Sequence, residues 1–187
     1  MVVLWGPGLS GKTTLAQRVG WRLPSREEAS SQGEGALLIP RRILVHGHGA
    51  DLAYGHRGRA RILPPFDEPW QDPRFRDAAI RCCQVACGAL FVADSQAARL
   101  NANVEQLKML TRDLQYVGRD PRIFPVLFAL NKRDLPNLMT VAQLRAGLQW
   151  PTSDYLETSG RSGLGINEAL DRLLDLAMQV IAPAAHR

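Results

Sequence analysis

The sequence predicts an α/β fold with a largely parallel sheet. Short apolar runs alternate with amphipathic segments along the chain, the pattern of strands joined by crossover helices. The first run, Val2-Val3-Leu4-Trp5, leads straight into a glycine-rich string, Gly6-Pro7-Gly8-Leu9-Ser10-Gly11-Lys12-Thr13. A later run, Phe124 to Leu130, leads into Asn131-Lys132-Arg133-Asp134. Both strings fall beyond the end of a strand, where open parallel sheets place their ligands.

Taken in order, residues 2–5 read as the first strand and Lys12 to Leu23 as a helix stopped by Pro24. The stretch 24–58 holds six glycines and shows no clear period. Arg59 to Phe66 reads as a strand weakened by Pro64 and Pro65, which points to an edge position or a strand end. Pro73 to Val85 is a predicted helix, and Ala89-Leu90-Phe91-Val92-Ala93 is a buried strand by its continuous apolar run. Leu100, Val104, Leu107, Leu110, Leu114 and Val117 form one helical stripe. Thr140 and Gln143 have capping-box spacing and open a short helix. Tyr155-Leu156-Glu157 is a short strand, and Ile166, Leu170, Leu173, Leu174, Ala177 and Ile181 stripe the last helix. The loops after 2–5, 59–66, 124–130 and 155–157 are expected to share one rim.

The glycine-rich string fits GxxxxGK[ST]. Its glycines let the backbone turn tightly and present successive N–H groups to phosphates. Lys12 is expected at the β- and γ-phosphates, and the Thr13 hydroxyl on Mg²⁺. The second string fits NKxD. Asp134 accepts two hydrogen bonds from guanine N1–H and the exocyclic amine, a donor pair that adenine lacks. Asn131 holds the base edge and ties loops together, and the Lys132 stem lies over the ring. Glu157-Thr158-Ser159-Gly160-Arg161 follows the last strand and offers backbone N–H groups to the guanine O6. The chain has 20 Arg but only 3 Lys, and two of those lysines, Lys12 and Lys132, fall inside the two motifs. An ammonium is not interchangeable with a guanidinium, so this placement supports both readings. Together the motifs predict a guanine-nucleotide site.

At 187 residues the chain is expected to form one domain, spanning 1–187. Hydrophobic residues at 45% and charged residues at 22% are ordinary for a soluble globular protein. No apolar run approaches the length of a membrane span. The start Met1-Val2-Val3-Leu4-Trp5 has no basic region, cleavage site or lipidation signal, so a cytoplasmic location is expected. Cys82, Cys83 and Cys87 form an odd, local set, read as reduced thiols on a helix face, with a metal or redox role as the minor alternative. The net charge is +5. Residues 1–66 carry 9 basic and 4 acidic side chains, whereas 67–187 carry 14 of each, so the excess lies with the glycine-rich loop. That suits an anionic ligand, and equally a solvated arginine-rich surface. No aromatic-interleaved basic patch implies nucleic acid.

With these residues in view, the chain resembles a P-loop NTPase of the Ras-like small GTPase kind. More narrowly it is similar to the bacterial gliding-motility and polarity type, the MglA group. Gly6-Pro7-Gly8-Leu9-Ser10-Gly11-Lys12-Thr13-Thr14, Phe91-Val92-Ala93-Asp94-Ser95-Gln96 and Asn131-Lys132-Arg133-Asp134-Leu135-Pro136-Asn137 carry the likeness, which is poor over 24–66. The resemblance implies a six-stranded, mostly parallel sheet flanked by helices, binding of GTP and GDP, and Mg²⁺. It also implies cytoplasmic work in polarity or motility, with a roadblock-type regulatory protein as partner.

The pattern departs from that family between the motifs. A Ras-like switch uses a loop threonine on Mg²⁺, yet no threonine lies between Thr14 and Thr111. Ser25, Ser30 and Ser31 are the substitutes at hand. The DxxGQ element appears as Asp67-Glu68-Pro69-Trp70-Gln71. Asp67 is placed to reach Mg²⁺ through water, and Gln71 to orient an attacking water. Trp70 stands where the pattern has a glycine whose N–H meets the γ-phosphate. His46, His48, Asp51 and His56 read as a polar loop or, less favoured, a metal site. Arg41, Arg42, Arg57 and Arg59 read as solvated arginines or as the source of one that stabilises charge in cis. Three functions therefore stand: a switch with slow, partner-dependent hydrolysis; a pseudo-GTPase scaffold; and a P-loop small-molecule kinase.

Overall fold

A computed structural model describes residues 2–18, 21–22, 37–40, 60–62, 73–150 and 154–181. Its strands are β1 (Val2–Trp5), β2 (Trp21–Arg22), β3 (Leu37–Pro40), β4 (Ala60–Ile62), β5 (Gly88–Asp94), β6 (Val126–Asn131) and β7 (Tyr155–Glu157). Its helices are α1 (Lys12–Arg18), α2 (Pro73–Val85), α3 (Leu100–Tyr116), α4 (Val141–Leu148) and α5 (Ile166–Ile181). The sheet runs in the order β2-β3-β4-β1-β5-β6-β7. From β4 to β7 every pairing is parallel, whereas β3 runs antiparallel to β4, and β2 to β3.

Alternation along the parallel strands divides the core in two. Val3, Trp5, Ala89, Phe91, Ala93, Val126, Phe128 and Leu130 pack with Ala79, Leu107, Leu110, Leu114 and Leu144 from α2, α3 and α4. Val2, Leu4, Leu90, Val92, Leu127 and Ala129 pack with Leu15 and Ala16 of α1 and Ile166, Ala169, Leu170 and Leu173 of α5. Each fully buried Leu or Phe removes enough apolar surface to contribute about 1.5–3 kcal/mol. Phe128 lies 5.1 Å from Phe91 and 4.7 Å from Tyr155 between ring centroids.

Helices α2, α3 and α5 occupy the expected segments. The capping box at α4 forms in full: the Gln143 N–H donates to the Thr140 hydroxyl and the Thr140 N–H to the Gln143 side chain. Three expectations need correction. The strand count is seven among the described residues, not six. The first helix stops at Arg18 rather than Leu23, because Trp21–Arg22 are extended against Ile39 and Pro40. Gly20 is a poor helix former and Trp21 a good strand former, so the outcome is physically reasonable. Leu37–Pro40, inside the stretch read as irregular, is a strand. It has four residues and lies between β2 and β4, so its apolar run is too short to carry a period. Of the two positions offered for the proline-weakened strand, the edge is excluded, since β3 and β1 flank β4, while the strand end agrees with β4 spanning Ala60–Ile62, before Pro64 and Pro65. Cys82 and Cys83 lie buried on α2, but Cys87 falls past its end; none is joined in a disulfide.

Candidate functional site

The glycine-rich loop leaves β1 through Gly6, whose φ is 134°. A Cβ there would stand 2.3 Å from the Val92 carbonyl oxygen on β5, so only glycine lets the two strands approach this closely. Gly11 has φ 97°, and a Cβ on it would stand 2.3 Å from Asn131 Nδ2. Between them Leu9, with φ 62°, takes a left-handed conformation and is 66% exposed. The loop closes into α1 as the Leu15 N–H donates to the Gly11 carbonyl at 2.9 Å. Pro7 is buried, Gly8 and Thr13 half-buried, and Thr14 exposed.

Lys12 is almost wholly buried, and its ammonium donates to the carbonyls of Gly6 at 2.8 Å and Pro7 at 2.6 Å. Burial pushes its pKa down to about 8, with the Arg99 charge acting in the same direction. The Ser10 hydroxyl is buried with no hydrogen-bond partner among the described residues. This end of the site therefore offers a cation and a hydroxyl held out of water.

Asn131 ends β6 and ties three loops together. Its Nδ2 donates to the Ser10 carbonyl at 2.7 Å, and its Oδ1 accepts from the Gly160 N–H at 2.9 Å and the Thr158 hydroxyl at 3.4 Å. Asp134 is exposed and accepts from the Ser159 hydroxyl at 2.6 Å. That hydrogen bond holds its carboxyl below the usual carboxylate range. Ser159 and Gly160 are buried and Arg161 is exposed. Arg18 on α1 donates to the Gly160 carbonyl at 3.1 Å and also to that of Arg161. The loops after β1, β6 and β7 thus share one rim, as expected. The loop after β4 lies outside the described residues, and so do Asp67, Trp70 and Gln71. Outside them too lie Ser25, Ser30 and Ser31, the histidines 46, 48 and 56 with Asp51, and Arg41, Arg42, Arg57 and Arg59.

Sequence reasoning gave no site role to the end of β5. Asp94 is fully buried, and its Oδ2 accepts from Lys132 Nζ at 2.7 Å. Its Oδ1 accepts from the N–H and side-chain amide of Gln96, both at 3.1 Å. Asn103 on α3 grips the Asp94 backbone twice, at 3.0 and 2.9 Å. Arg99 donates to the Gly8 carbonyl at 2.6 Å. A carboxylate ending a seven-residue apolar strand was the available signal.

The donor set suits a phosphate-bearing ligand: an unpartnered buried hydroxyl, a buried ammonium and a glycine cradle at a helix N-terminus. No group of three His, Cys, Asp or Glu side chains able to hold a metal occurs among the described residues. Mg²⁺ needs no such cage, because it is commonly held by one or two protein groups together with substrate phosphates. No described helix is long and apolar enough to cross a membrane.

Parallel sheet, glycine cradle and NKxD loop on one rim define the class: a Ras-like small GTPase of the P-loop kind. Within that class the chain belongs to the MglA family. It is 31% identical over 181 residues to the mutual gliding-motility protein MglA of Myxococcus xanthus, across 95% of this chain and 89% of that one. It is also 27% identical over 172 residues to elongation factor 4 of Parabacteroides distasonis, covering 88% of this chain but 27% of that protein. No protein-family model matches the chain.

Proposed function

We propose that this chain is a single-domain guanine-nucleotide switch of the cytoplasm, acting in cell polarity or gliding motility. It hydrolyses GTP slowly and is stimulated by a roadblock-type partner. The observation that supports it most is Asn131, which joins the glycine-rich loop, the NKxD turn and the loop after β7 into one rim. The backbone N–H groups of Gly8 to Lys12 receive phosphate oxygens, and Lys12 leaves its loop carbonyls to meet the β- and γ-phosphates. Thr13 and, through water, Asp67 hold Mg²⁺, which would neutralise phosphate charge when bound. Gln71 orients the attacking water. Asp134 reads the guanine edge, Asn131 and the Lys132 stem hold the ring, and the backbone of Ser159, Gly160 and Arg161 meets O6. The motility role rests on likeness to a relative whose name carries that term.

A second reading is favoured by two features of the sequence. Trp70 replaces a glycine, and no threonine lies between Thr14 and Thr111. On that reading the chain holds nucleotide as a scaffold without efficient turnover. GDP and GTP affinity and turnover in Mg²⁺, with and without a roadblock-type protein, decide between them. Saturable binding with stimulated turnover supports the switch, and binding without turnover supports the scaffold. Absence of binding sinks both. Asp134→Asn should weaken GDP and favour xanthine nucleotide; an unchanged base preference would point instead to a P-loop kinase.

A further inference from the structure

We propose that Asp94 is a positioning residue that fixes two cations at opposite ends of the nucleotide site, Lys132 beside the base and Arg99 beside the phosphates. The proposal rests on guanine-nucleotide binding as described above and adds a residue that no motif assigns to it.

A fully buried carboxylate is costly unless it is paired and hydrogen-bonded. Asp94 meets that demand with groups drawn from separate loops. Oδ2 takes the Lys132 ammonium at 2.7 Å, and Arg99 Nε lies 3.8 Å from the same oxygen. Both Gln96 donors take Oδ1. The two Asn103 hydrogen bonds fix the backbone from which the carboxylate extends. The carboxylate therefore sits on a rigid support rather than on a mobile tip.

Each cation leads to a different part of the site. Arg99 reaches the Gly8 carbonyl at 2.6 Å, on the glycine-rich loop. Lys132 belongs to the NKxD turn, and its backbone is left-handed, with φ 69°. A non-glycine residue persists in that region only where its surroundings over-determine it. Asp94 holds the far end of the Lys132 side chain, which leaves the intervening methylene stem stretched across the site. The sequence Gly8 carbonyl, Arg99, Asp94, Lys132 thus joins the phosphate side to the base side through one buried anion. It lies beside the Asn131 connection, Asp94 and Asn131 being partners across β5 and β6, but acts through charged side chains rather than a neutral amide.

The test is a pair of double-mutant cycles, read by GDP affinity, pyrophosphate affinity and thermal midpoint. Asp94→Asn should weaken GDP about tenfold and pyrophosphate less, because the base side loses its anchor. With Lys132→Met already present, adding Asp94→Asn should change GDP affinity less than about twofold. Additive losses in the two backgrounds would overturn the proposal, and so would unchanged GDP affinity in Asp94→Asn. Should Asp94→Asn fail to fold, Lys132→Met and Arg99→Met supply a cycle that leaves the carboxylate in place. Coupling between those two is expected, and independence overturns the linkage. If the unaltered protein binds no GDP, the underlying function fails as well, an outcome distinct from binding with additive losses.

Discussion

Lys12 and Asp134 stand at opposite ends of one rim, and both have lowered pKa values for opposite reasons. Burial opposes the charge on Lys12, whose ammonium is turned onto the carbonyls of its own loop. A hydrogen bond from Ser159 favours the charge on Asp134, which stays exposed to solvent. The phosphate end is thus a tight backbone construction around a reluctant cation. The base end is a ready anion supported by neighbouring loops. The first depends chiefly on glycine conformations and close backbone approach, the second on side chains that neighbouring loops hold in place, around a left-handed Lys132. Stability and recognition should therefore separate along this rim.

The sharpest way to break the comparison is at Gly6. Gly6→Ala places a Cβ against the Val92 carbonyl at a positive φ and should cost roughly 2–4 kcal/mol in urea unfolding. Asn131→Ala comes next. It leaves the buried Ser10 carbonyl and Gly160 N–H without this partner and should cost about 2–3 kcal/mol, with a comparable loss of GDP affinity.

Lys12 gives an effect of opposite sign. Its folded pKa of about 8 lies below the ordinary 10.5, so the folded protein binds fewer protons than the unfolded chain between those values. Stability of the nucleotide-free protein should rise by about 2 kcal/mol as pH increases from 8 to 10.5. Lys12→Met should flatten that slope, raise stability near pH 7 by about 1 kcal/mol, and abolish nucleotide binding, a trade of function for stability. Denaturant midpoints across pH check all three outcomes. Asp134→Asn should move stability least. Its depressed pKa gives a contribution present above the unfolded value of 3.8 and lost as pH falls through the folded one, and exposure keeps that contribution small. A large loss of stability at pH 7 from Asp134→Asn would erase the contrast between the two ends.

The parallel half of the molecule was legible in the sequence for a physical reason. β5 and β6 are buried on both faces, so their apolar runs are unbroken, and the stripes on α3 and α5 pack directly against them. The antiparallel border was not. β2 has two residues and β3 four, too few for a period, and their pairing depends on partners distant in sequence. Gly6 and Gly11 could be placed by motif, since a positive φ and a close approach leave a residue-type signature. Arg99 could not, and Asp94 offered only its place at the end of an apolar strand. A buried charge is written with the same letter as a solvated one, and Arg99 is one of 20 arginines. What separates them is pairing through space, to Lys132 and to the Gly8 carbonyl.

Trp5 makes the phosphate end observable. Its indole is fully buried one residue before the cradle begins, and its N–H donates to the Gln106 carbonyl at 3.0 Å. An indole in a dry, fixed pocket emits differently from one in water. The chain has 4 tryptophans, and a variant with phenylalanine at Trp21, Trp70 and Trp150 would isolate the Trp5 signal. A change in Trp5 emission on adding GDP would report a rearrangement of the adjoining turn without any attached dye.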